Sequence, residues 1–390
     1  MLADFFSILL RATMEISLLA FALVFALAFA NGANDVSKSI ATLVGSGVTN
    51  YRSAIAWGTV WTSVGAALAA FVASSMIKTF SHGLVQTGTI IGPAVTLAVL
   101  TGTIAWVLFA SRRGLPVSTT HALTGAIIGT GLVAFAGDGL IWSAIGKKIA
   151  LPLLLGPFLA FTISLLIHPA VRALANKWGG ACLCVMPTSR ALVAIDPRGG
   201  MRTLFQTTHF GQPVITVPSQ CDRAGLQGLV VGLDTIHWFS SGLASFARGT
   251  NDAPKIVAML MLGSATATWP SASSQLAAFG GVAIAMGLGS YFGGLRVTEV
   301  LAENVTKMNH AEGLSANLTT SSLVLLAGSL GLPLSTTHVS SSAIIGIGLL
   351  KGLNCVRWTT VRDMVLAWVV TLPASALLAC IAYLILTRVL

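Results

Sequence analysis

Apolar positions in this chain are gathered into long uninterrupted runs rather than spaced along one face of a helix or strand. Residues 53–77, 84–111, 256–295 and 364–387 contain no Asp, Glu, Lys or Arg. A helix needs about 20 apolar residues to cross the hydrocarbon core of a bilayer, so each run is long enough to span it. The run 256–295 is long enough for two helices joined by a turn. The pattern predicts an all-α integral membrane protein with about ten crossings. One long polar stretch, 169–225, interrupts it, carrying Arg172, Lys177, Arg190, Arg198, Arg202 and Arg223 against Asp196 and Asp222. The tendency of basic loops to stay inside places this stretch in the cytoplasm.

Composition supports the class. The chain is 55% hydrophobic and only 9% charged, more apolar sequence than a soluble core of 390 residues would bury. Its net charge of +10 would raise nucleic acid as a partner in a soluble protein. Here the basic residues sit at segment ends and in the polar stretch, so no nucleic acid partner is expected and the bilayer is. The five cysteines read as ordinary thiols, with Cys182, Cys184 and Cys221 the one grouping with any claim on a metal. Ala28-Phe29-Ala30 imitates a signal-peptide cleavage site, but a similar apolar helix precedes the second copy of the motif that follows it, so cleavage is not expected.

The chain repeats itself. Gly32-Ala33-Asn34-Asp35 is answered by Gly249-Thr250-Asn251-Asp252, an offset of 251 − 34 = 217. Residues 114–132, GLPVSTTHALTGAIIGTGL, are answered at the same offset by 331–349, GLPLSTTHVSSSAIIGIGL, with 13 of 19 positions identical. The expected organisation is a first transmembrane repeat over 1–168, a central polar loop over 169–225 and a second repeat over 226–390. Duplicated halves of secondary transporters are often inverted about an axis in the membrane plane, with the substrate at midplane. A parallel duplication has the same spacing; inversion is the expectation here.

Each motif suggests its own chemistry. Asp35 follows an apolar run, and a carboxylate at such depth costs at least ~2.5–3.5 kcal/mol, which marks it and Asp252 as functional candidates. Gly32 and Gly249 suit a break in the helix, where freed carbonyls together with Asn34, Asp35, Asn251 and Asp252 would form an oxygen cage for a small cation such as sodium. The bland alternative is a structural carboxylate paired with lysine. In the Pro-x-Ser-Thr-Thr-His segments the proline fits the first turn of a helix, and Ser118, Thr119, Thr120, Ser335, Thr336 and Thr337 add hydroxyl donors to free N–H groups at a positive helix end. That describes an anion site at the tip of a re-entrant hairpin, one per repeat; hydroxyls that merely bond back to their own helix are the alternative. His121 and His338 read as neutral histidines fixing the hairpins by hydrogen bonds, and Trp57, Trp61 and Trp368 as anchors or packing. A hydrolase built on Ser118 or Thr119 with His121 is disfavoured, because catalytic centres rarely come in two near-identical copies; the chain is not expected to be an enzyme. A divalent oxyanion held between two aspartates gathers close to four negative charges at low dielectric, so cations must bind with it.

These residues resemble the inorganic phosphate transporter (PiT) family, whose signature is the duplicated Gly-Ala-Asn-Asp motif with paired Pro-x-Ser-Thr-Thr-His segments. Residues 299–308 and 312–320 also resemble that family's second-repeat region. The resemblance implies import of inorganic phosphate by symport with sodium or protons, through alternating access around a midplane site. It gives Ser118, Thr119, Thr120, Ser335, Thr336, Thr337, Asn34 and Asn251 to the anion, and Asn34, Asp35, Asn251 and Asp252 to the coupling ion, with sodium at Asp35 and Asp252 where sodium is that ion. No cofactor beyond the coupling ion is implied. A sulfate or other oxyanion permease on the same scaffold is the second reading, with arsenate as a phosphate mimic. The protein is expected in the cell membrane if prokaryotic, and a homodimer is compatible with the resemblance. Departures stand at Lys38, where the first motif commonly has Asn, and at Arg248, Thr250 and Pro254 around the second. Lys38, matched by Lys255, places an ammonium beside Asp35 and is expected to modulate the charge there, reducing the sodium requirement.

Overall fold

The computed structural model describes residues 2–81, 83–86, 89, 91–178, 182–195, 201–216, 232–262 and 271–389; for 2–15, 178, 182–195 and 201–216 it describes the backbone alone. The first half holds α1 (Leu2–Asp35), α2 (Ser37–Gly45), α3 (Tyr51–Val72), α4 (Ser74–Ser81), α5 (Pro93–Arg112), α6 (Thr119–Phe135), α7 (Trp142–Ala144) and α8 (Leu151–Trp178), the last two joined by a π-helical turn. The second half holds α9 (Leu233–Val257), α10 (Ala272–Gly293), α11 (Leu295–Glu303), α12 (His310–Ser329), α13 (Thr336–Leu350) and α14 (Trp358–Val389).

Between the halves, β1 (Cys182–Ile195) and β2 (Met201–Thr216) pair antiparallel, Cys182 opposite Thr216 and Ile195 opposite Met201. This hairpin lies in the central segment between the two helical units; its content of Val, Ile, Thr and Phe favours an extended backbone. The side chains of Cys182 and Cys184, and all of Cys221, lie outside the described residues. Helix α8 runs ten residues past the expected end of the first transmembrane unit, through Pro169 to Trp178.

Among the described residues, six helical stretches are long and apolar enough to cross a membrane: 16–45, 51–72, 93–112, 142–177, 272–293 and 358–389. That is fewer than the ten expected from uncharged length. The reason is that α9 carries Asp234, Arg248, Asp252 and Lys255, while α6 and α13 are only 17 and 15 residues long. On the flanks, Phe71, Phe158, Leu166, Phe292, Val369 and Leu377 expose large apolar side chains, as lipid-facing surfaces do.

Helices from the two halves interlock. Helix α1 packs on α10, α9 on α3, α14 on both α5 and α6, and α8 on both α12 and α13. The central contact buries Val24 and Leu27 of α1, Ala66 of α3, Val257 of α9, and Phe279, Val282 and Met286 of α10. Glycine permits the closest approaches. A Cβ on Gly32 would stand 2.1 Å from the Met286 carbonyl oxygen, and one on Gly249 would stand 2.3 Å from that of Thr62. This corrects the expected helix break at these glycines. Helix α1 runs unbroken through Gly32 to Asp35, and the interruption at Val36 keeps right-handed helical angles (φ −57°, ψ −34°). Helix α9 likewise passes through Gly249, Asp252 and Pro254. The glycines serve to bring two backbones together, as small residues do in membrane helix pairs.

Candidate functional site

Asn34, Asp35, Asn251 and Asp252 are all buried, and the fold brings both Asn-Asp pairs to the starts of α6 and α13. Each start is built alike. A glycine with positive φ, Gly114 (+70°) or Gly331 (+68°), ends the preceding turn. Side chains rarely adopt that conformation, so the turn suits glycine. An extended Leu-Pro segment follows, and then Ser118 or Ser335 caps the helix, its Oγ accepting the backbone N–H of His121 or His338 at 3.2 Å. The first two N–H groups of each helix, on Thr119 and Thr120 and on Thr336 and Thr337, have no intrahelical acceptor. They form two positive helix ends.

The aspartates tie the halves together. Asp35 accepts hydrogen bonds from Lys38 Nζ (2.7 Å), Asn31 Nδ2 (2.9 Å) and Thr119 Oγ1 (3.3 Å). Asp252 accepts from Lys255 Nζ (2.8 Å), Asn251 Nδ2 (2.9 Å) and, across the halves, Asn31 Nδ2 (3.2 Å). Asn31 therefore bridges the two carboxylates and also donates to Thr119 Oγ1 at 3.1 Å. Sequence reasoning missed it. Position 31 has no matching residue in the second copy, where Arg248 stands, although its place one helical turn before Asp35 was the available signal.

The lysines are deployed differently. Lys38 turns inward on its own motif, its Nζ donating to Asn34 Oδ1 (2.5 Å), the Asn34 carbonyl (2.6 Å) and Asp35. Lys255 reaches across to Thr120 Oγ1 at 2.8 Å. Asn34 Nδ2 donates to Ser111 Oγ and the Leu115 carbonyl, and Asn251 Nδ2 to the Leu334 carbonyl. Because Lys255 faces Thr120, the Asn251 Oδ1 oxygen is buried with no hydrogen-bond partner among the described residues, whereas its counterpart on Asn34 is engaged. Both carboxylates are thus lysine-paired, and removing either partner of such a buried pair typically costs ~3–5 kcal/mol.

The hydroxyls do more than bond back to their own helix. Thr337 Oγ1 donates to the Val117 carbonyl at 2.7 Å, locking the start of α13 against the approach to α6. His121 and His338 meet through their rings, with centroids 4.4 Å apart, and His338 also packs on Trp368 at 4.2 Å. His121 Nδ1 has no hydrogen-bond partner among the described residues, so the expected hydrogen bond is not made at that atom. Trp368 donates to the Pro116 carbonyl, so it too holds the α6 approach.

Comparison with known proteins agrees with this architecture. The phosphate transporter family signature matches residues 31–379. A protein of Bacillus subtilis described as a probable low-affinity inorganic phosphate transporter is 29% identical over 93% of this chain and 94% of its own length. Inorganic phosphate transporter 2-1, chloroplastic, of Arabidopsis thaliana is 29% identical over 94% of this chain and 71% of its own. A solved structure titled as the sodium-dependent phosphate transporter superposes with a TM-score of 0.73 at 24% identity, covering 96% of this chain and all of that one. The chain is an integral membrane transporter, not an enzyme, and it belongs to the phosphate transporter family.

Proposed function

We propose that the protein imports inorganic phosphate by cation-coupled symport, binding it between the starts of α6 and α13. The observation that carries this reading is convergence. The start of α6, with Ser118, Thr119 and Thr120, meets one buried cluster of Asp35, Asp252, Lys38 and Lys255 through bonds of Lys255 to Thr120 and Thr119 to Asp35, and the start of α13, with Ser335, Thr336 and Thr337, reaches the same cluster through the Leu334 carbonyl, which accepts from Asn251 and Lys255. Helix N-termini with hydroxyl donors suit a tetrahedral anion. Each flanking carboxylate is already paired with a lysine, so a divalent anion brings more negative charge than the cluster offsets and its binding favours that of a cation, which is the physical basis of symport.

The two halves act as inverted repeats, each ending its hairpin at midplane. Two features support the repeat itself, and inversion is taken from the transporter class. Helix starts recur at the 217 offset, 310 − 93 and 336 − 119, and the packing is reciprocal, α1 on α10 against α9 on α3. Alternating access then follows as a rocking of one half against the other around a fixed site.

Lys38 occupies with its ammonium the three oxygens that a sodium ion would take beside Asp35. The coupling ion, sodium or a proton, is therefore assigned to the second half, where Asn251 Oδ1 lacks a donor. The central polar segment 169–225 is assigned to the cytoplasm on its basic charge. Uptake of radiolabelled phosphate into proteoliposomes tests the reading, with sulfate and arsenate as competitors and with sodium and proton gradients imposed separately. Uptake blocked by arsenate and not by sulfate is expected. Sulfate uptake with little phosphate uptake would keep the scaffold and transfer the site to the sulfate reading; no accumulation of either anion would refute it.

A further inference from the structure

Arg248 stands one helical turn before Asp252 on α9, in the place that Asn31 holds relative to Asp35 on α1. It is only 1% exposed. Its Nη2 donates to Thr62 Oγ1 on α3 (2.5 Å) and Ser290 Oγ on α10 (3.2 Å), and Ser290 in turn donates to the Gly32 carbonyl on α1. Its Nε and Nη1 are buried without any hydrogen-bond partner among the described residues. Among the described residues no carboxylate lies within salt-bridge distance of it, although Asp35 and Asp252 are near enough to act on it electrostatically.

The charges in the cluster do not cancel. Asp35 and Asp252 are each taken by a lysine, so with Arg248 the five buried charges sum to −2 + 3 = +1. A guanidinium kept from water with two donors idle is costly unless something negative arrives to meet it.

We propose that Arg248 is an oxyanion ligand of the transport site, its idle Nε–H and Nη1–H serving the anion from the second-half side. The assignment rests on the reading of the site as a phosphate site and adds to it a charge rule. With a net +1, one monovalent anion neutralises the cluster unaided, and a divalent anion needs a single monovalent cation. Guanidinium, with donors in a rigid planar fork, suits an oxyanion better than an ammonium would.

Purified protein in detergent tests this with inorganic phosphate and sulfate as probes, measuring phosphate affinity by calorimetry and melting temperature with and without each anion. Arg248→Gln is expected to weaken phosphate binding about 10- to 100-fold, the loss of a charge-assisted hydrogen bond. Its melting temperature without anion should hold or rise, because an unpaired buried charge has gone. Arg248→Lys, which keeps the charge, should recover part of the affinity. A wild-type protein that responds to phosphate, with an Arg248→Gln variant that binds it within twofold and melts lower without it, would make Arg248 a structural residue and overturn the assignment. If neither anion binds the wild-type protein, the phosphate reading itself fails and the assignment falls with it.

Discussion

The two Asn-Asp motifs share one frame and solve one problem in different ways. In the first, Lys38 folds back onto Asn34 and Asp35, so the motif closes on itself and Asn31 is left to bridge both carboxylates. In the second, Lys255 leaves its own asparagine to reach Thr120, and the bridging position carries Arg248 instead of an amide. Lys38 satisfies Asn34 and Asp35 of the first motif, where Asn31 Oδ1 is the buried atom without a partner among the described residues; in the second motif the idle polar atoms are on Asn251 and Arg248. The motif stands in the chain twice at one offset, and a few buried positions around it differ between the copies.

The comparison breaks most severely where the backbones meet. Gly32→Val or Gly249→Val places carbon atoms within about 2 Å of a carbonyl oxygen on the facing helix. Overpacking typically costs about 1–3 kcal/mol, and backbone that cannot yield takes it higher. Loss of folded protein in fluorescence-detected size exclusion is expected for both.

Next come the carboxylates. Asp35→Asn strands the Lys38 ammonium in the cluster and is expected to cost ~3–5 kcal/mol of stability and to abolish phosphate uptake. Asp35→Asn with Lys38→Met removes the pair together, so thermal unfolding should show the double variant more stable than the single one. Asp252→Asn should also abolish uptake, but with a smaller stability loss, because Lys255 keeps its bond to Thr120. Equal losses would deny the asymmetry.

A subtler change sharpens it. Lys38→Asn frees the three oxygens on the first motif, so sodium dependence of uptake should become steeper, with a larger Hill coefficient than the wild type shows. Lys255→Asn should instead weaken phosphate uptake, since Lys255 touches the hydroxyl assigned to the anion. The smallest effect is expected at Asn31. Asn31→Ala removes one amide shared between two carboxylates, a loss of ~1–3 kcal/mol in stability by chemical denaturation, with uptake reduced rather than abolished.

Much of this was legible in the sequence, because chemistry written twice at one offset is hard to miss. Asp35, Asp252, the two Ser-Thr-Thr clusters and both lysines were all identifiable from the 217 spacing, and the structure gathers them at one place. What the repeat could not reveal was its own divergence. Asn31 and Arg248 differ from each other, so neither stands out as a duplicated residue, yet both hold places one turn before an aspartate. Thr62 and Ser290 are lone hydroxyls in apolar helices, and only packing shows that they hold the guanidinium. Gly32 and Gly249 were legible as special, but glycine can break a helix or let one approach another, and sequence does not say which. Uncharged runs do not single out the helices richest in chemistry, which are short or charged.

A structure of the protein with arsenate bound, located by the anomalous signal of arsenic, tests the central claim most directly. The account predicts one arsenate between the start of α6 at Thr119 and Thr120 and the start of α13 at Thr336 and Thr337, within hydrogen-bond reach of both. Arsenate bound to one helix start alone, or away from both while uptake persists, would contradict it.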